Sequence, residues 1–465
     1  MRARPFLTIG TTVLLAAVPL GVGPAAAGEH HGDRVQVLSG PSPFADGCPG
    51  SRLDDTAIVG AEVEPMVAAD PSDPRHLIAT WQQDIGTPAA RSDLIARSAD
   101  GGRTWRTTTI PGLTVCTGGT ADFASDPWLS VGGDGTVYFS GLQGNATADP
   151  PPVGVVASRS LDGGRTWSEP ATVAAADPGV DTDSVTASPT LDGHAYVVWA
   201  AWDHSYQPPM AGNAFRFART TDSGATWSPA VLVHDPGPTA VDFSGHVLVL
   251  PSGDLLAVWA NFDVVSGLGT LMASRSPDEG DTWEAAVAAA VQPVGMFTDP
   301  ESGVELPQPG FTSPAIAPDG TVYVATESST SPTSGAITVS QSRDGGRTWT
   351  SSPLPDVSAF AFEPAIAVDD RGRVGVLWYD IRNDVPGDDE LTSDVWFARS
   401  ADRGASWDQE HLAGPFDLRT APNGRLGEYQ GLVGLRRSFV GVVTLAGPLA
   451  VDGPSDVFVA RVGRG

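Results

Sequence analysis

The chain has 465 residues with 54 glycines and 40 prolines, a composition that suits a large, turn-rich all-β domain. Its formal net charge is −28 and all 27 cations are arginine. Such acidity repels nucleic acid and anionic membrane surfaces, and the lack of lysine removes Schiff-base chemistry and a P-loop.

Residues 1–27 read as a secretory signal, with Arg2 and Arg4 as the charged start, an apolar run from Phe6 to Val22, and small residues at Ala25, Ala26 and Ala27. No later run of about 20 apolar residues follows, so no membrane partner is expected. The mature chain, 28–465, is expected to be one exported, monomeric domain. The segment Arg34–Leu38 then alternates like a strand.

From there the sequence repeats. An eight-residue pattern, Ser/Thr-x-Asp-x-Gly-x-Thr/Ser-Trp, occurs at 98–105, 160–167, 220–227, 276–283, 342–349 and 400–407. Each copy follows an alternating stretch such as Asp394-Val395-Trp396-Phe397-Ala398-Arg399, so it should be a turn between two strands. The Asp can accept hydrogen bonds from turn amides, the Gly supplies positive φ, and the Trp should open the next strand. Upstream of each copy lies an apolar strand, a glycine turn and a second apolar strand. The first strands begin at Glu64, Asp126, near Ser184, near Ser244, at Ser313 and at Glu363, and a seventh unit begins at Gln430 without a turn motif. That seventh unit has three strands, and Arg34–Leu38 is predicted to supply its fourth. A seven-bladed β-propeller follows, with a six-bladed ring plus a C-terminal addition as the alternative.

The pattern resembles the Asp-box, or bacterial neuraminidase repeat, of the sialidase superfamily. The resemblance implies a β-propeller whose boxes lie on the face away from the active site, and an exo-sialidase-like glycoside hydrolase acting on extracellular glycans. In that family three arginines bind the substrate carboxylate, the first in a Phe/Tyr-Arg-Ile-Pro motif. Here the corresponding stretch is Val63-Glu64-Pro65-Met66, with an acid and no arginine. Asp84 matches the family's acid–base Asp. Tyr379 or Tyr429, with Glu363 or Glu428, matches its Tyr–Glu pair. Arg91, Arg382 and Arg425 are the arginines placed for substrate.

Blade order puts the strand-start acids Glu64, Asp126 and Glu363 on the face opposite the boxes, beside Asp183, Asp242 and Glu428. Such a ring can supply a general acid and a base or nucleophile, and its oxygens also suit a calcium ion; no other cofactor or metal is expected. Trp81, Trp199, Trp259 and Trp378 repeat at equivalent positions, with Asp84, Asp203, Asp263 and Asp380 close behind. They read as interblade packing or as sugar platforms. The loop Trp378-Tyr379-Asp380-Ile381-Arg382 combines phenol, cation and acid and ranks first as a catalytic loop. The connection 285–311, with Asp299, Glu301 and Glu305, is a candidate lid. Cys48 and Cys116 fall in connections flanking the first unit, on one face, and are expected to pair. Two further readings remain: a non-catalytic glycan- or protein-binding propeller, and a polysaccharide lyase using His204 and Tyr206.

Overall fold

The computed structural model describes residues 34–147, 151–177, 179–202, 212–293, 299, 301–303, 311–331, 334–357 and 360–463. The signal segment, Asp203, His204, Tyr206 and Glu305 lie outside these residues. The described structure is all-β, interrupted only by three-residue 3-10 turns, and none of its helices could cross a membrane.

After β1 (Val35–Val37) comes an antiparallel meander of β2 (Glu62–Ala69), β3 (Leu77–Ile85), β4 (Ala90–Ser98) and β5 (Arg106–Thr109). The second is β6 (Phe123–Val131), β7 (Val137–Gly144), β8 (Val153–Ser160) and β9 (Ala171–Asp177), joined to the first through one pairing, Ala90 with Ala124. The third is β10 (Val180–Ala187), β11 (Ala195–Trp202), β12 (Asn213–Thr220) and β13 (Val231–His234). The fourth is β14 (Ala240–Val249), β15 (Leu255–Asp263), β16 (Leu268–Ser276) and β17 (Val287–Pro293). The fifth is β18 (Thr312–Ile316), β19 (Val322–Ser331), β20 (Ser334–Ser342) and β21 (Thr350–Pro353). The sixth is β22 (Ala361–Val368), β23 (Val374–Asp380), β24 (Thr392–Ser400) and β25 (Asp408–Asp417). The last sheet holds β26 (Gly431–Gly434), β27 (Phe439–Ala446) and β28 (Ser455–Val462), with β1 on its outer edge, Gln36 opposite Val459.

The first strands β2, β6, β10, β14, β18, β22 and β26 lie side by side in that order, and β26 returns to β2. The arrangement is propeller-like. Core residues sit between neighbouring sheets: Ile78 and Ile95 of the first pack on Leu129, Phe139 and Val156 of the second. The four repeated tryptophans are part of this core, each at most 2% exposed. Three of their indoles have acceptors: Trp81 donates to Gln83 at 2.9 Å, Trp259 to Asp242 at 2.8 Å, and Trp378 to Asp380 at 3.1 Å.

The six turn motifs share one hydrogen-bond plan. In the first, Asp100 Oδ1 accepts from the amides of Arg103 and Thr104, both at 2.9 Å, and Oδ2 accepts from the Thr104 hydroxyl at 2.7 Å. The Ser98 hydroxyl accepts from the Gly102 amide at 2.9 Å, and Gly102 has φ 79°. These donors stabilise the ionised carboxyl. The hydroxyl and amide of Thr226 bring Asp222 down to about 2, and those of Ser406 do the same for Asp402. The tryptophan closes the turn rather than opening the next strand, since β5 starts one residue later, at Arg106. In two motifs its NH bonds back to the turn, Trp105 to the Gly102 carbonyl at 3.2 Å and Trp349 to the Gly346 carbonyl at 2.9 Å.

Arginines near the ends of four third strands stitch their sheets to the next turn. Arg159 donates to the carbonyls of Asp222 at 3.1 Å and Ser223 at 2.8 Å, Arg219 to Glu279 at 2.7 Å, and Arg275 to Gly345 at 2.6 Å. Arg461 of the last sheet does the same to Gly102 of the first, at 3.0 Å. Cys48 and Cys116 form a disulfide across 68 residues.

Two outcomes are expected. Arg159→Ala should lower the unfolding free energy by roughly 1–3 kcal/mol in urea titrations, because two turn carbonyls lose a charged donor. Replacing both cysteines with alanine should cost roughly 2–5 kcal/mol, through the long loop the bond closes.

Candidate functional site

At the start of the first strands the backbone departs from regular pleating. Glu64, Asp126, Thr182, Ser244 and Glu363 have φ of 54°, 54°, 42°, 49° and 48°. Each lies inside a register shift of its strand. Left-handed backbone costs a non-glycine residue about 1–3 kcal/mol, and such bulges re-aim one side chain. In the third sheet the strained position is Thr182, two residues before the expected Ser184. β18 keeps regular register. Ahead of β26, Gly427 takes φ 123°, where an added Cβ would stand 2.5 Å from Glu64 Cγ and 2.7 Å from Glu64 N. Glycine alone lets this last connection close on Glu64.

The bulges gather carboxyls. Glu64, Asp126, Asp183 and Glu428 face one another together with Asp93 from β4 and Asp181 from β10; Glu363 and Glu327 extend the group beside Glu428. Burial, then Asp126, Glu428 and Asp93, holds the Glu64 carboxyl well above the usual range, although the Gln82 amide donates to it. Burial and the Asp181 charge push Asp126 up to about 7, against the hydrogen bond from Ser125. Burial, then Asp126 and Asp181, pushes Glu428 to about 8. Burial also raises Asp93, Asp183 and Glu363, whose carboxyl oxygens all lack a hydrogen-bond partner among the described residues. Burial raises Asp181 as well, although its residue reaches the surface, and Glu428 and Arg425 are half-buried. The cation acting on Glu363 and Glu428 is Arg425.

Beneath the carboxyls lies a layer of rings. Trp128 sits 4.7 Å from His246 and 5.1 Å from Tyr429, centre to centre. His246 Nε2 lies 2.7 Å from the Thr312 carbonyl, and burial lowers its pKa to about 4, so the ring is neutral and donates. Tyr429 donates to the Pro127 carbonyl at 3.1 Å. Burial and the charges of Glu64, Asp126 and Asp183 raise its phenol well above 10, the opposite of what a phenolate nucleophile needs. Asp126, Thr182, Asp183, Ser244 and the three rings surround a cavity of about 20 Å³.

The structure thus brings together Glu64, Asp126, Glu363, Arg425 and Tyr429. The remaining sequence-derived candidates serve the scaffold. Asp84 is fully buried and accepts from Ser42 at 2.7 Å, the Gly60 amide at 2.9 Å, Gln83 at 2.9 Å and Arg91 at 3.3 Å. Arg91 also bonds Asp54 at 3.0 Å and the Phe44 carbonyl at 2.9 Å, so neither is free to meet a substrate. The Tyr379 phenol lies in the apolar core and both donates to and accepts from the Thr444 backbone at 2.9 Å. Asp380 is buried under Trp378 and Arg382, and Arg382 stacks 3.9 Å over Trp396. In the long connection, Arg419 holds Asp299 at 2.7 Å and Glu301 at 3.1 Å. Among the described residues no group of three or more His, Cys, Asp or Glu is arranged to hold a metal.

The sequence reading passed over Asp93, Asp181 and Glu327 as site residues. Asp93 carried a signal: it is an acid inside an alternating strand, directly opposite Gln82.

The fold and site define an all-β, propeller-like protein with an uncompensated carboxyl cluster at its axis. No protein-family model matches the chain, and no curated protein matches it. Solved structures resemble it at low identity. A Hadza microbial sialidase, Hz136, matches with TM-score 0.47 and 14% identity, over 88% of this chain and 68% of that one. The intramolecular trans-sialidase of Ruminococcus gnavus, in complex with oseltamivir carboxylate, gives TM-score 0.44 and 15% identity over 90% and 98%. An alpha-L-arabinanase of Penicillium chrysogenum complexed with arabinobiose gives 0.44 and 16% over 73% and 93%. The chemistry of the site rests on its own residues.

The raised carboxyls fix a pH dependence. Between the ordinary carboxyl range near 4 and the folded values of about 7 for Asp126 and about 8 for Glu62 and Glu428, the folded chain binds more protons than the unfolded one. Stability from these groups is therefore full at low pH and falls as pH rises through that window. Asp222 and Asp402, lowered to about 2, lose their contribution only in stronger acid. The urea midpoint should be higher near pH 5 than near pH 8, and Asp126→Asn with Glu428→Gln should flatten the difference.

Proposed function

We propose that the chain is an exported glycoside hydrolase on a seven-bladed, sialidase-like propeller, acting through axial carboxyls on a terminal sugar of an extracellular glycan. The observation that carries this reading is the close set Asp126, Asp181 and Glu428: burial raises all three carboxyls, to about 7 for Asp126 and about 8 for Glu428, and the Asp181 residue reaches the surface. A protonated carboxyl beside an ionisable one is the equipment for glycosidic cleavage. Glu428, at about 8, would protonate the leaving oxygen. Asp181, whose carboxyl burial also raises and whose residue reaches the surface, would act as base or nucleophile once ionised, and Arg425 would act on Glu428.

The same set argues for a neutral sugar over an anionic one. Clustered acids repel a sugar carboxylate, and one half-buried Arg425 stands where the sialidase pattern has three arginines. The ring of first strands with β1 on the last sheet supports the seven-bladed reading, and residues 1–27 support export. A second reading, a binding propeller, is favoured by the 20 Å³ cavity, which has room for a water and not for a sugar ring.

The test is release from a panel of fluorogenic neutral glycosides and a sialoside across pH. Release from a neutral glycoside is expected, declining above about pH 7–8, with kcat lowered roughly 100-fold or more in Glu428→Gln. Release from the sialoside alone would overturn the neutral-sugar assignment. Unchanged turnover in both Glu428→Gln and Asp126→Asn would overturn the carboxyl mechanism. Saturable glycan binding without turnover would favour the second reading.

A further inference from the structure

At the far end of the first strands from the carboxyls, the turn-motif face carries a groove of about 1000 Å³. It lies where the first, sixth and last sheets meet. Arg75, Arg103, Arg371, Arg436, Arg437 and Arg461 line it, against only two acids, Asp100 and Asp370. In a chain of net charge −28 this concentration is out of proportion, since six of the 27 arginines share one concavity.

The state of each side chain matters more than the count. Arg75 is neutralised by Asp73, through bonds of 2.9 and 2.6 Å. Arg103 and Arg461 bond neutral acceptors, the Asp100 carbonyl at 2.8 Å and the Gly102 carbonyl at 3.0 Å, so they are positioned with their charge intact. Arg371, Arg436 and Arg437 form no ion pair among the described residues, and all three are exposed. Asp100 accepts only from hydroxyls and backbone amides of its own turn, so it keeps its charge as well. Five guanidiniums without an ion pair thus face two carboxylates, Asp100 and the exposed Asp370, and the groove keeps an excess of positive charge.

We propose that this groove is a binding site for a phosphate or sulfate group, distinct from the axial carboxyl site and independent of its chemistry. Guanidinium forks match tetrahedral oxyanions with paired, charge-assisted hydrogen bonds. The size of the ligand follows from the surrounding charge. Screening confines the positive field to about 8 Å at physiological salt, and beyond the groove the acidic surface repels. A compact anion gains the attraction without the repulsion, whereas a long polyanion meets both.

The experiment is calorimetric titration of the mature chain at low ionic strength. The probes are sodium sulfate, sodium phosphate, and glucose 6-sulfate as an ester. One saturable site is expected, weakened about tenfold or more in Arg436→Gln/Arg437→Gln and unchanged in Arg343→Gln, an exposed arginine outside the groove. Binding of the inorganic ions supports a free-oxyanion site, and binding of the ester alone supports an ester carried on a larger molecule. Absence of saturable binding by every probe overturns the proposal, as does equal binding by the double variant. Dimerisation at low salt that the double variant abolishes, without anion binding, would overturn it in favour of the acidic surface of a second copy. Glycoside hydrolysis is not read, so this proposal and the functional one fail separately.

Discussion

Like charges held in a shared, water-poor space cannot all be ionised, and the centre of this molecule is arranged around that constraint. Among the described residues the first strands of the sheets lie side by side, and the last returns to the first. The residues placed there include Glu64, Asp126, Asp183, Glu363 and Glu428, with Arg425 as the cation that acts on them. The bulges are what put them there. Regular pleating would turn alternate side chains into the layers between sheets. A left-handed residue at the strand start breaks the alternation and carries its own side chain elsewhere. The strain is met by the rest of the ring, where apolar layers, arginine stitches and turn motifs over-determine the position of each strand.

The turn motifs and the axial acids use the same chemical group in opposite ways. Asp222 is surrounded by donors and is stabilised as an anion. Asp183 is buried beside Asp126, Asp93 and Asp181, and burial outweighs the nearby Ser140 hydroxyl and holds it as a neutral acid. The aspartates at the turn face reinforce the scaffold, and those at the axis draw on its stability. Carboxyls that hold protons at neutral pH without a structural partner are a feature of sites that donate protons.

Much of the scaffold was legible in the sequence because it is written as a repeat. The six turn motifs fixed the third-to-fourth strand connections, and the alternation at Arg34–Leu38 located the strand that pairs with β28. The site was legible only in part. Glu64, Asp126 and Glu363 stood out because strand starts recur at a fixed offset from each motif. Asp84, Tyr379 and Asp380 misled because aromatic–acid proximity in sequence looks the same whether the indole NH and phenol are satisfied inside the core or open to a ligand. Asp181 and Asp93 were hidden for a different reason. Whether an acid inside a strand faces the axis depends on bulge position, and a bulge shifts the facing of every residue beyond it without leaving a mark in composition.

The pairing of β1 with β28 joins segments at opposite ends of the chain, and the Ser39 hydroxyl meets the Val457 carbonyl across 418 residues. A chain made from its N-terminus has β1 long before β28. During that interval β2 would have β6 on one side and nothing on the other, and β1 would remain an open edge. The ring could close only as a late and slow event, dominated by the entropy of bringing distant segments together. Once closed, it would be latched: neither the first nor the last sheet could peel away without breaking contacts between segments far apart in the chain, such as Ser39 with Val457, 418 residues on.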